Sequence, residues 1–324
     1  MFSGPPETFP RLLGDIGGTN ARFALIRASG EDISEIRNLH CADFPGPMEA
    51  IRCYLTSVDC AAPRHAAMGI ANPITGDWLK MTNNAWAFSI EELRQSLDLD
   101  RLLFINDFTA LALSLPHLGQ NEIRQIGGGN AVADTAIGVI GPGTGLGVSG
   151  LIPSRAGWIP LGGEGGHVSL SPQTPEEMAV TALLFAEHDH VSAERVLSGP
   201  GLISLHQALA RIRKINVAEL DGSQITRAAL NRENALCVDT LNMFCALLGS
   251  TAGNLALTLG ARGGVFIGGG IIPKLGEFFD ASPFRARFEA KGRFQNYLSA
   301  IPTKLITAAN PALTGAAAAL DQPE

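Results

Sequence analysis

Cysteine is scarce in this sequence and never stands in pairs. The 324 residues hold five, Cys41, Cys53, Cys60, Cys237 and Cys245, an odd number with no Cys-x-x-Cys spacing. That argues against a disulfide framework or a zinc cage and fits a reducing, cytoplasmic setting. Charge is also sparse, at 17% of residues, and the net charge is −7. Without a basic excess, a nucleic-acid partner is not expected. The first residues carry no long apolar core, so no secretory signal is read there. The most apolar long stretch, residues 235–259, contains Asp239, Asn242, Ser250 and Asn254. Those polar groups make it a buried core helix rather than a membrane span, and no membrane partner is expected. The P-loop pattern GxxxxGK[ST] is absent. A GxGxxG does occur at Gly145, Gly147 and Gly150. It reads as strand where a dinucleotide site needs a helix, and no acidic residue sits at a strand end about 20 positions on. There is no low-complexity tract and no short repeat.

What is present is apolar and glycine-rich: 46% hydrophobic residues and 37 glycines. At about 150 residues per domain, the length predicts two domains with ample cores. Residues 12–17 and 22–26 predict two strands joined by Gly-Thr-Asn-Ala, with a third at 33–39. Ser89 and Glu92 predict a helix start. A short strand at 102–105 ends at Asn106-Asp107, and a helix over 108–115 stops before Pro116. Strands are expected at 135–140 and 148–152. Thr174-Pro175-Glu176-Glu177 predicts a capped helix. Leu202, Leu205, Leu209 and Ile212 share one helix face. Further elements are a strand at 265–267, a strand at 304–307 and an alanine-rich helix at 313–320. Hairpin strands mixed with helices, appearing twice, indicate two α/β domains.

Three glycine-rich turns each follow an apolar strand: Gly14 to Asn20, Gly141 to Gly147, and Gly268-Gly269-Gly270. Glycine lets backbone amides approach a phosphate or an adenine. Thr19 and Thr144 add hydroxyls, and Asp15 suits a hydrated Mg²⁺. Asp107, at a strand end, suits the base that takes a proton from an attacking hydroxyl, with Asn106 beside it to bind a neighbouring one. An ordinary Asn-Asp turn fits the same two residues. Glu164-Gly165-Gly166-His167 sets a carboxylate and an imidazole among glycines, which suits vicinal hydroxyls or a structural turn. Glu194 reads as a carboxylate in the first turn of a helix, complementing its dipole.

Taken together, the stretches LLGDIGGTNARFAL, ANPITGDWLKMTNNAWAFS, INDFTALALSLP, GPGTGLG, PLGGEGGHVSLSP, ERVLSGPGL, GGVFIGGGIIPKL and ALTGAAAAL resemble the bacterial glucokinase family, within the actin-like ATPase and hexokinase superfamily. The match runs from near residue 12 to near 320. It implies a two-domain α/β fold of ribonuclease H-like type around a cleft, with a small domain of residues 1–117 plus 308–324 and a large domain of 118–307. It implies ATP-dependent phosphorylation of glucose to glucose 6-phosphate, the first step of glucose use in glycolysis, and a homodimer. The aspartate of INDF, Asp107, is implied as catalytic base. Asn106, Asp107, Glu164, His167 and Glu194 are implied as glucose ligands. The implied nucleotide segments comprise Gly14, Asp15, Ile16, Gly17, Gly18 and Thr19, then Gly143, Thr144 and Gly145, then Gly268 and Gly269. Asp15 is the implied metal residue, toward Mg²⁺. Sugar kinases and repressors of the ROK type carry a cysteine-rich zinc motif after the Gly-His pair. GHVSLSPQTP has no cysteine, which sets this chain apart from them. Asn72 and Asn84 lie within a matching stretch and acquire no role from it. The rival readings are a kinase for another hexose, a sugar-sensing regulator and an actin-like ATPase.

Overall fold

A computed structural model describes residues 2, 4, 8–82, 84–155 and 157–322. Asn83, within the matching stretch ANPITGDWLKMTNNAWAFS, lies outside the described residues. By internal contacts the chain forms two units, residues 1–119 with 154–162 and 308–324, and residues 120–153 with 163–307. Residues 154–162, expected in the large domain, group with the first unit. Their strand touches the helix after Asn106, and Gln322 donates to the carbonyl of Trp158 (2.9 Å).

Strands and helices are numbered along the chain. The first unit contains β1 (Arg11–Ile16), β2 (Asn20–Ile26), β3 (Ser34–His40), α1 (Pro47–Ser57), β4 (His65–Ile70), β5 (Trp78–Lys80), β6 (Ala87–Ser89), α2 (Ile90–Ser96), β7 (Arg101–Asn106), α3 (Asp107–Ser114), β11 (Gly157–Pro160) and α11 (Pro311–Leu320). Its sheet runs β3-β2-β1-β4-β7, antiparallel through the β1–β3 meander and parallel from β1 to β7. β1 and β4 are central, and Leu12, Leu13, Ile16, Ala66, Ala67, Met68 and Ile70 in them are all buried, as parallel strands covered on both faces require. β3 is the edge and is charged and mostly exposed, which blunts edge pairing. Ser89 caps α2 by accepting from the Glu92 amide (3.0 Å). Pro116 does not end the chain's helical path, because residues 115–117 continue from α3 as a 3-10 turn. α3 and α11 are built of small and apolar residues, nearly all buried, and pack on one another. A Cβ on Gly315 of α11 would overlap the carbonyl oxygen of Ala110 in α3. Arg11, itself buried, pairs with Asp321 at 2.6 Å and so ties β1 to the end of α11.

The second unit contains β8 (Ile123–Gly127), β9 (Ile137–Pro142), β10 (Leu146–Ser154), α4 (Pro175–Phe185), α5 (Gly199–Arg213), α6 (Gly222–Leu230), α7 (Ala235–Leu259), β12 (Val265–Ile267), α8 (Glu277–Ala281), α9 (Phe284–Glu289), α10 (Gln295–Ser299) and β13 (Thr303–Ile306). Five strands stand in the order β10-β9-β12-β13-β8. A hairpin, β9–β10, is followed by two parallel strands, β12 and β13, as β1–β2 is followed by β4 and β7. β8 is an antiparallel edge with no counterpart in the first unit. Gly147 and Gly150 lie inside β10, so the GxGxxG match is strand and opens no helix.

α7 is the core helix of this unit. It is long and apolar enough by length and composition to cross a membrane, yet 67% of its most apolar stretch is buried among its neighbours. Asn234 caps it by accepting from the amides of Leu236 and Cys237, and Gly260 closes it in the left-handed region at φ 61°. Two of its polar groups have charged partners: Asp239 pairs with Arg213 (2.5 Å) and Asn254 accepts from Lys291 (2.6 Å).

α4 begins with the reciprocal cap expected at Thr174 and Glu177. Glu177 does more than cap. It is 3% exposed, accepts from the Gln173 amide (2.6 Å), and takes both arms of Arg287 (2.5 and 3.0 Å). Burial pushes its carboxyl upward, but Arg287 and the Gln173 and Thr174 amides outweigh it and hold the pKa below the ordinary 4.5. A lowered folded pKa stabilises the fold above the unfolded value and loses that contribution as pH falls through the folded one. Glu177→Gln is expected to cost about 3 kcal/mol at pH 7, because it leaves Arg287 half-buried without its charge partner. The difference from the unmodified chain should shrink below pH 4.5. Urea unfolding at pH 7 and at pH 4 checks both halves.

Candidate functional site

In the first unit, the parallel strands bring two of the predicted segments to one edge of the sheet. Ile16, Ile70 and Asn106 are in register across β1, β4 and β7. Their strands end together, and adjacent strands lie about 4.8 Å apart. The Gly17-Gly18-Thr19 turn after β1 and the Asn106-Asp107 corner after β7 are therefore roughly 10 Å apart at the sheet. Carboxyl ends of parallel strands are where α/β sheets hold ligands.

Asn106 is the cap of α3. Its Oδ1 accepts from the amides of Phe108 (2.9 Å) and Thr109 (3.2 Å). Asp107 is the first residue of that helix, and its Oδ1 accepts from the Phe108 amide (2.9 Å). Its carboxylate thus sits at the positive end of the α3 dipole. The Asn-Asp corner is therefore a capped helix start in which both side chains accept from the first amides of α3.

The glycine turn after β1 is braced from outside. Gly17 donates to the Asn20 carbonyl (2.9 Å) and Cys41 to the Thr19 carbonyl (2.8 Å). The Gly17 carbonyl accepts from Asn84 Nδ2 (3.4 Å) and the Cys41 thiol (3.6 Å). Thr19 is exposed at the tip. Gly14 is not part of this turn. It lies within β1, and the Cβ it lacks would overlap Met68 Sδ, so its glycine serves packing. Asp15 also lies in β1 and pairs with Arg22 directly across the hairpin (2.8 Å). Burial raises its pKa, against the lowering effect of Arg22.

In the second unit the other segments meet. The Gly143-Thr144-Gly145 turn joins β9 to β10 as a tight hairpin, Pro142 facing Leu146. The Gly268-Gly269 turn after β12 lies against it. Gly268 donates to the Ile140 carbonyl (2.9 Å), and a Cβ on either Gly141 or Gly269 would collide with the other loop's backbone. Gly269 also needs its φ of 78°. Gly143 differs, since a Cβ there would meet no protein atom within 4 Å.

Glu164, His167 and Glu194 gather at the start of β10. Glu164 and His167 are exposed at the ends of one turn, closed by the His167 amide on the Glu164 carbonyl (3.0 Å). His167 Nδ1 stands 3.9 Å from Glu194 Oε1. The two glycines between Glu164 and His167 do not open space for a ligand. A Cβ on Gly166 would overlap the Leu146 carbonyl oxygen, and one on Gly165 would press on Val148. They let the turn sit flat on β10. Glu194 is not in a helix: residues 194–196 form a turn, and α5 starts at Gly199. Pairing with the Glu164–Leu170 segment fixes this stretch, through Glu194 N to the Gly166 carbonyl (2.9 Å) and Leu170 N to the Val191 carbonyl (2.9 Å). Its carboxylate therefore answers no dipole of its own helix. Oε2 accepts from the Leu146 amide (2.8 Å).

Among the described residues no three His, Cys, Asp or Glu stand together as metal ligands. A single carboxylate beside a phosphate turn suits Mg²⁺, which keeps its waters and takes phosphate oxygens.

Comparison with known proteins settles the lineage. The glucokinase family model matches residues 12–323. The chain belongs to the glucokinase family. It is 55% identical over 322 residues to a glucokinase of Aromatoleum aromaticum, covering 99% of this chain and 97% of that one. Among solved structures, a glucokinase from an Antarctic psychrotroph superposes with a TM-score of 0.89 at 41% identity, over 97% of this chain and 99% of that one. A glucokinase from Balamuthia mandrillaris in complex with glucose superposes at 0.77 over 95% and 92%. At 23% identity that likeness bears on fold alone. The architecture is the two-domain α/β fold of the actin-like ATPase and hexokinase superfamily.

Sequence reasoning passed over Leu146, whose amide and carbonyl carry the Glu194 and Gly166 contacts. Leucine has no polar side chain to draw notice. It also passed over Cys41 and Asn84, whose partners are backbone atoms far along the chain.

Proposed function

We propose that the chain transfers the γ-phosphoryl group of ATP to the 6-hydroxyl of glucose, as the first step of glucose use in glycolysis. The observation that carries this is a glycine turn and a carboxylate brought to one place in each unit, Gly17–Thr19 with Asp107 at the ends of β1 and β7, and Gly143–Gly145 with Glu194 at the β9–β10 turn.

Asp107 takes the proton of the attacking hydroxyl, and Asn106, Glu164, His167 and Glu194 hold the sugar's other hydroxyls. Gly17, Gly18 and Thr19, with Gly143, Thr144 and Gly145, present backbone amides and hydroxyls to the phosphates. Ile16 and Gly14 position the first turn from within β1, and Gly268-Gly269 lies toward the adenosine. Mg²⁺ at this site would supply positive charge against that of the phosphates. Asp15 would hold it through water, exchanging part of its pairing with Arg22. A homodimer in the cytoplasm belongs to the same reading. It rests on the family resemblance, and the five free thiols fit a reducing compartment.

Substrate choice is tested by coupled detection of the phosphorylated product across glucose, mannose, fructose and the deoxyglucoses, with ATP and Mg²⁺. Glucose should give the highest kcat/KM. Deoxy analogues should lose about tenfold or more, because a carboxylate or imidazole that the bound sugar covers is left without its hydroxyl. Equal values across the panel would contradict the assigned sugar ligands.

Gly143→Val tests the phosphate turn. A Cβ there has no protein atom beyond its chain neighbours within 4 Å, and no left-handed backbone angle is required. The fold should therefore tolerate it, while KM for ATP rises by about tenfold or more and KM for glucose stays within about threefold, a branched Cβ excluding the phosphate at van der Waals range. An unchanged KM for ATP would remove GPGTG from the nucleotide site.

A further inference from the structure

The segment 194–199, matched in sequence to sugar binding, is wrapped around the hairpin matched to phosphate binding. Both arms of that hairpin are held by it. Glu194 Oε2 accepts from the Leu146 amide (2.8 Å), and the Gly199 amide donates to the Gly143 carbonyl (2.8 Å). The bracket is itself fixed: the Ser198 hydroxyl donates to the Glu194 carbonyl (2.9 Å) and accepts from the Gly201 amide (3.0 Å). The other carboxylate oxygen of Glu194 faces His167 at 3.9 Å. Gly145 has no side chain where one would strike Glu194 Oε2.

We propose that Glu194 is a positioning residue for the nucleotide as well as a sugar ligand, one oxygen setting the Gly143–Leu146 hairpin and the other facing the sugar. This rests on the proposed glucose kinase activity and adds to it a physical link between the two substrates. A carboxylate that accepts from a backbone amide makes a charge-assisted bond, stronger than a neutral one. Sugar hydroxyls arriving at Oε1 orient the carboxylate and so tighten its hold on Leu146. Coupling of this kind is reciprocal, so bound nucleotide raises sugar affinity by the same factor.

Calorimetry separates the links, with the Mg²⁺ complex of the β,γ-imido analogue of ATP as one probe and glucose as the other. Without sugar, Glu194→Ala should weaken the analogue about 10- to 150-fold, the size of one lost charge-assisted bond. Glu194→Gln keeps an acceptor for Leu146, so analogue affinity should stay within about threefold while glucose affinity falls about tenfold or more. Glu164→Ala should weaken glucose alone. The reverse arm is Gly145→Ala, in the phosphate hairpin. Its methyl pushes Glu194 aside, so glucose binding should weaken about tenfold although no sugar ligand was changed. Glu194→Gln and Gly145→Ala carry the test if Glu194→Ala does not fold. Analogue affinity unmoved in Glu194→Ala, or normal glucose affinity in Gly145→Ala, overturns the link and leaves the kinase reading standing. A wild-type chain that binds neither probe overturns both.

Discussion

Asp107→Asn is expected to lower kcat by about 10²–10⁴-fold, the usual contribution of a general base. Glucose affinity should be nearly unchanged. The geometry explains the split. Asp107 begins α3 directly after β7, and its Oδ1 accepts from the Phe108 amide at 2.9 Å. An asparagine oxygen can accept the same bond, and Asn106 continues to cap the helix. The local cost is the loss of one negative charge at a helix N-terminus, about 0.3–1 kcal/mol. That is too small to unfold the domain. The amide cannot take a proton from the 6-hydroxyl, so the loss falls on the chemical step. Steady-state kinetics and glucose titration by calorimetry give both numbers. A kcat within about threefold of the unmodified chain would remove Asp107 from the role of base.

Gly315→Ala is expected to destabilise the first unit by more than about 3 kcal/mol, against the intrinsic preference of the helix. Alanine is favoured over glycine inside a helix by about 1 kcal/mol, so propensity alone predicts a gain. Packing reverses the sign. Gly315 is buried in α11, and a Cβ there would overlap the Ala110 carbonyl oxygen of α3. The obstacle is backbone, which cannot rotate away as a side chain can. The two helices must separate, and α11 is also packed on β1 and β4. Overpacking of a well-filled core costs about 1–3 kcal/mol, and more where backbone must shift. Because α3 carries Asp107 at its start, residual folded protein should also show reduced kcat. Urea unfolding gives the direct reading. An unchanged midpoint would mean that the α3–α11 contact is looser than the structure has it.

The elements legible in the sequence were those with a local cause. The β1–β2 hairpin, the Ser89 and Thr174 caps, the Leu202–Ile212 helix face and the strand at 265–267 each rest on neighbours within a few residues. β8 was not legible, since Ile123-Arg-Gln-Ile-Gly gains its strand only from pairing with β13. The end of the Phe108 helix was placed one residue long, because Pro116 can enter a 3-10 turn where an α-helix would stop. Glycine was the most ambiguous signal. At Gly143 it leaves room outside the protein, but at Gly14, Gly165, Gly166 and Gly269 it makes room for the protein itself. Sequence shows that a Cβ is missing, not what occupies its place. Glu194 was misplaced for a related reason. Ser192-Ala193-Glu194-Arg195 looks like a capped start, but pairing with the Glu164–Leu170 segment takes precedence, and the true cap is Ser198.

The central claim is that ATP gives its γ-phosphoryl group to a sugar hydroxyl and not to water. It is tested most directly by following the reaction of purified protein, ATP, Mg²⁺ and glucose by phosphorus and carbon NMR. The account predicts a phosphomonoester on C6 of glucose, formed one for one with ADP, no detectable inorganic phosphate, and no ATP turnover when glucose is left out. ATP consumed to inorganic phosphate at the same rate with or without glucose, and no ester at C6, would contradict it.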